Sequence, residues 1–124
     1  MPGQMKTPGP DHPITIEPNP ARVTVRVGDQ VVADTTAALS LRESTYPAVA
    51  YVPLADVDPS ALRPTATSTY CPYKGDAAYY SLTVPGGELT DVVWTYPEPY
   101  AAVAEIAGHV AFYANKVEIT ESAA

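Results

Sequence analysis

Proline interrupts this chain so often that long helices have no room to form. Fourteen prolines and seven glycines are spread through 124 residues. Proline removes a backbone donor and clashes with the preceding helical turn, while glycine supplies the conformations that tight turns require. The pattern predicts many short segments joined by turns. Between the breaks, apolar residues alternate with polar ones. Ile14 and Ile16 flank Thr15, and Val23, Val25 and Val27 flank Thr24 and Arg26. Gly28-Asp29 has the form of a two-residue hairpin turn, with residues 31–34 as the returning strand. Residues 38–42 and 49–53 read as further strands, the second ended by Pro53. Asp58-Pro59 has the form of a helix N-cap followed by proline in the first turn, so one helical turn is expected within 56–62.

The second half is patterned in the same way. Ala78, Tyr80, Leu82 and Val84 share one face of a strand, and Ala77, Tyr79, Ser81 and Thr83 the other. Pro85-Gly86-Gly87 is a tight turn, and residues 89–96 form the partner strand with Trp94. Pro99, Ala102, Val103 and Ile106 fall at helical spacing between Pro99 and Gly108, which predicts one short helix. Residues 109–113 and 116–120 close the chain as two short strands. Eight or nine strands and one helix in the C-terminal half make a mainly-β single-domain roll or sandwich over 12–124, preceded by a flexible N-terminal arm at 1–11.

Composition narrows the function classes. The formal net charge is −7, and the seven Lys and Arg residues do not cluster, so the basic stripe that nucleic acid needs is missing. One cysteine excludes an internal disulfide and a Cys-rich zinc site, and it fits a reducing compartment. No apolar run approaches the ~20 residues of a membrane helix. The first six residues lack the apolar core of a secretion signal, so the expected location is the cytoplasm, with no membrane partner.

Chemistry-bearing residues concentrate at 69–80. This stretch holds the one cysteine, Cys71, one of three lysines, Lys74, and four of nine tyrosines, with Pro72 and Gly75 bending the backbone before a strand begins. Cys71 has three readings: a small core residue, an unreactive pocket wall, or a nucleophile activated by Lys74 three residues on. Lys74 is either solvated or engaged with a carboxylate or an anionic ligand. Trp94, Tyr96, Tyr51 and Tyr79 either fill the core or form an apolar cleft with a few polar groups, the usual look of a small-molecule site. His12 and His109 are isolated in sequence and read as structural or solvent-facing.

Several blocks together carry a resemblance. Residues 31–35, Glu43, Tyr51-Val52-Pro53 and Asp56-Val57 come first. Cys71-Pro72-Tyr73-Lys74-Gly75, Ala78-Tyr79, residues 94–99, Gly108 and Ala111-Phe112-Tyr113 follow in order. From about His12 to Ile119 the chain resembles the domain of unknown function 427 family. The resemblance implies a compact β-rich fold of the β-tent kind, and places Glu43 and Lys74 in family blocks as a candidate pair, structural or catalytic. A nucleotidyltransferase label travels with the family. Such enzymes carry a Gly-Ser pair followed by Asp-x-Asp, whose carboxylates hold Mg²⁺. Asp56-Val57-Asp58 has that spacing but no Gly-Ser pair precedes it, so a helix cap is expected instead of a metal site. Neither metal nor other cofactor is expected.

The resulting expectation is a domain that binds a small polar or anionic ligand. The ligand would sit on Trp94 and Tyr51, with Tyr79, Tyr96 and Cys71 nearby, oriented by Lys74, Glu43 and Arg42. Two alternatives stay open. One is a protein-interaction or homo-oligomerisation module; the other is an enzyme using Cys71, Lys74 and Glu43, or a nucleotidyl-transfer activity.

Overall fold

The computed structural model describes residues 5–123. Residues 1–4 of the expected arm lie outside the described residues. Ten strands follow in order: β1 (Ile14–Asn19), β2 (Arg22–Val27), β3 (Gln30–Thr35), β4 (Ala38–Glu43), β5 (Val49–Pro53), β6 (Leu62–Cys71), β7 (Gly75–Val84), β8 (Gly87–Thr95), β9 (His109–Phe112) and β10 (Glu118–Ser122). They form two antiparallel sheets. The larger has the order β1-β4-β5-β9-β8-β7-β6, and the smaller β10-β2-β3. The larger sheet is open, with β1 and β6 at its edges.

Strand alternation sends neighbouring side chains of the larger sheet to opposite sides. On one side Val52, Val93, Val110, Phe112 and Leu82 meet Val23, Val25 and Val32 of the smaller sheet, forming the main core. On the other side Tyr51, Trp94, Ala111, Leu41, Ala77 and Tyr79 meet Val103 and Ile106. Tyr51 and Val52 are thus adjacent in sequence yet sit in different clusters, as do Val93 and Trp94.

Turn chemistry behaves as the sequence predicts at two points. Gly28 takes φ 58° in the two-residue turn that pairs Val27 with Gln30. The Asp58 carboxylate accepts from the Ser60 N–H at 3.0 Å, capping a 3₁₀ turn at Pro59–Ala61. The sequence announces no strand over 62–71, yet β6 fills it; its threonines carry no apolar alternation because β6 is an exposed edge. One expectation is corrected. The expected C-terminal-half helix is a 3₁₀ segment, Ala101–Ile106, kinked at Val103. Val103 and Ile106 are fully buried while Ala102 is exposed, so burial repeats every three residues, the 3₁₀ period. No helix among the described residues is long and apolar enough to cross a membrane.

Candidate functional site

The site forms on the second face of the larger sheet, where the 3₁₀ segment covers only part of the strands. Four strands deliver side chains to it by period-two alternation: Leu41 and Glu43 from β4, Val49 and Tyr51 from β5, Tyr79 from β7 and Trp94 from β8. Tyr79 lies across from Trp94, and Trp94 from the fully buried Ala111, whose single methyl leaves space for the indole. The Trp94 ring packs on Tyr113 at 4.7 Å between centroids and meets Tyr51 edge-on at 6.5 Å. Its indole N–H donates to the Tyr51 hydroxyl at 3.2 Å. These rings, with Tyr96, wall a pocket of about 320 Å³, and Tyr46 and Pro47 of the β4–β5 loop stand at its edge.

A charged pair lines the same pocket. Lys74 Nζ donates to Glu43 Oε1 at 2.6 Å, and the two side chains are 9% and 16% exposed. Lys74 sits in the turn from β6 to β7. Its own N–H donates to the Cys71 carbonyl at 3.2 Å, and its carbonyl accepts from the Tyr100 N–H at 2.9 Å. Gly75 then takes φ 113°, a conformation disfavoured for residues with a side chain. Glu43 ends β4 and is held opposite Ile14 of β1. That register brings the residues just ahead of β1 to the carboxylate. His12 Nε2 donates to Glu43 Oε2 at 2.7 Å, and its ring stacks on Tyr73 at 4.1 Å. The segment before His12 is tied down as well, through the Lys6 N–H donating to the Pro72 carbonyl at 2.8 Å.

Protonation states follow from these contacts. Burial pushes the Glu43 carboxyl up, but hydrogen bonds and charge from Lys74 and His12 outweigh it and hold the group below its ordinary range. Burial pushes the Tyr51 hydroxyl up to about 12, against the opposing pull of the Trp94 N–H. Burial, reinforced by nearby Tyr51 and Cys71, lifts Tyr96 far above the ordinary phenol value. At neutral pH Glu43 is therefore ionised, and Tyr51 and Tyr96 keep their protons.

Of the residues expected at the site, Glu43, Tyr51, Lys74, Tyr79, Trp94 and Tyr96 line one pocket. Cys71 is not among the lining residues: its Sγ is 3.7 Å from Lys74 Nζ, and the side chain is half-buried. Arg42 points to the opposite face of β4, into a polar depression shared with Thr15, Ser40, Glu17 and Glu121. The strand period requires this, because Arg42 neighbours Glu43. Sequence reasoning missed His12, Tyr46 and Tyr113. His12 reaches the site through the β1–β4 pairing, which no local signal announces. Tyr113 has a signal in retrospect, since it continues the alternation of Ala111 one residue past β9. Asp56 accepts from the Thr35 hydroxyl at 2.7 Å, and Asp58 serves as the cap described above. Among the described residues no group of three or more His, Cys, Asp and Glu side chains is arranged to hold a metal ion.

No curated protein matches the chain. The family described as a domain of unknown function (DUF427) matches residues 15–123, nearly the whole length, and the chain belongs to that family.

Proposed function

We propose that this protein binds a small planar, polar ligand in the aromatic pocket beside Glu43 and Lys74. The observation that carries the reading is a nearly buried ion pair that lines a tyrosine- and tryptophan-walled pocket. Burying two charges costs desolvation that their attraction repays only with good geometry, and apolar replacements of such pairs are often equally stable. The fold itself therefore has little need of Lys74 and Glu43, whereas a ligand that must be oriented does. Ring walls with a few fixed polar groups suit a planar molecule, and ligand pockets commonly span about 300–1,000 Å³. The single free thiol, Cys71, is compatible with the cytoplasm, where thiols stay reduced.

A thermal-shift screen of planar metabolites and nucleotides tests this. A ligand present at about 100 times its Kd stabilises by roughly 2.7 kcal/mol through mass action. The expected result is a subset of planar compounds raising the melting temperature of the wild type by several degrees, with the shift lost in Lys74→Met and in Trp94→Ala. A screen with no hits, or hits that survive both substitutions, contradicts the reading.

A further inference from the structure

We infer that the pocket selects its ligand through a hydrogen-bond acceptor, a carboxylate or carbonyl oxygen on a planar ring, and disfavours rings bearing an ammonium group. This rests on the pocket reading above and deepens it. Tyr96 is only 8% exposed, yet its hydroxyl has no partner among the described residues. No fully buried side-chain oxygen or nitrogen lacks a partner among them either. The Tyr96 hydroxyl is therefore not sealed off, and Tyr96 lines the pocket. The Tyr51 hydroxyl accepts from Trp94, and its own hydrogen has no acceptor among the described residues. Lys74 carries three hydrogens. One goes to Glu43 and one to Cys71, and the third has no acceptor among the described residues.

Three donors are thus unspent around one pocket. The acceptor side is weaker: the neutral tyrosine hydroxyls can also accept, but the one carboxylate is already engaged. Each Glu43 oxygen already receives a short bond, from Lys74 at 2.6 Å and from His12 at 2.7 Å. An ammonium group entering the pocket would meet the Lys74 charge with the Glu43 charge already shared. Both tyrosines stay protonated well past neutral pH, because burial opposes their ionisation. An oxygen acceptor on a ring satisfies the open donors while its ring packs on Trp94 and Tyr113. Leaving such donors unpaired under a bound ligand costs affinity.

Three matched one-ring probes, benzoate, benzamide and benzylamine, test the inference by quenching of Trp94 fluorescence in the full chain. Trp94 is the one tryptophan, so the signal has a single source. Benzoate or benzamide, or both, is expected to bind at least about tenfold more tightly than benzylamine, the scale of one well-formed hydrogen bond. Benzoate alone assigns the carboxylate, and benzamide alone the carbonyl. Tyr96→Phe is expected to weaken the acceptor probes roughly fivefold at an unchanged melting temperature. Tyr51→Phe serves the same purpose should Tyr96→Phe fold poorly. Benzylamine binding as well as the others, or no loss of acceptor affinity in a folded tyrosine variant, overturns the inference and leaves the pocket reading standing. Failure of all three probes to bind removes the pocket reading, and this inference with it.

Discussion

Glu43 is the residue on which the site depends. It ties Lys74, His12 and the end of β4 together, and its charge compensates a lysine that has almost no access to water. Glu43→Gln keeps the shape but removes that compensation, and breaking a buried pair in this way costs about 3 kcal/mol. Urea unfolding should show this as a lower midpoint. The paired replacement Glu43→Leu with Lys74→Met should lose less than Glu43→Gln alone, because no uncompensated charge is left. A double variant less stable than the single would show that the pair itself holds the fold. The pH dependence has a definite sign. The Glu43 carboxyl titrates below its ordinary value of 4.5 in the folded protein, so its contribution is complete above that value and is lost as pH falls through the depressed one. Acidification below about pH 4.5 should therefore destabilise the wild type more steeply than the double variant.

At the scale of the elements, the β6–β7 turn sets where Lys74 points. Gly75 has φ 113°, and a Cβ there would come within 3.4 Å of the Glu98 backbone carbonyl. Gly75→Ala meets the strained dihedral, with that carbonyl only in ordinary contact. A loss of about 2 kcal/mol follows, together with weaker ligand binding, because Lys74 is the preceding residue. Wild-type stability and affinity in Gly75→Ala would contradict this role for the turn. Alternation made β4, β5, β7 and β8 legible in the sequence, but the shared face of Glu43, Tyr51, Tyr79 and Trp94 follows only from strand pairing, and the expected site wrongly joined Arg42 to it. Two features escaped. The threonine-rich β6 lies at an edge, so solvent on its outer side removes the alternation that marks a strand. The stretch Ala101–Ile106 satisfies both the 3.6- and the three-residue period over its short length, and prolines at 97 and 99 leave too little chain for an α-helix to establish itself.

For the whole molecule, the larger sheet separates two jobs. One face is closed against the β10-β2-β3 sheet by a continuous valine-rich core. The other is covered only in part, by the 3₁₀ segment and the aromatic side chains, and the uncovered part is the pocket. His12 joins this arrangement across 31 residues of sequence, through strand pairing that is fixed only once the sheet has formed, so the sequence carried no trace of it. Arg42 illustrates the converse: close to Glu43 in sequence, it lies across the sheet from the pocket. The most direct test of the account is a ¹H–¹⁵N NMR titration of the full chain with benzoate and with benzamide. The Trp94 indole N–H gives a single resolved reporter inside the pocket wall. Binding at the pocket predicts that this resonance moves together with backbone amides near Glu43, Tyr51, Lys74 and Tyr96, while those near Arg42 and Glu17 stay in place. A still indole resonance, or shifts gathered at the Arg42 depression instead, would contradict it.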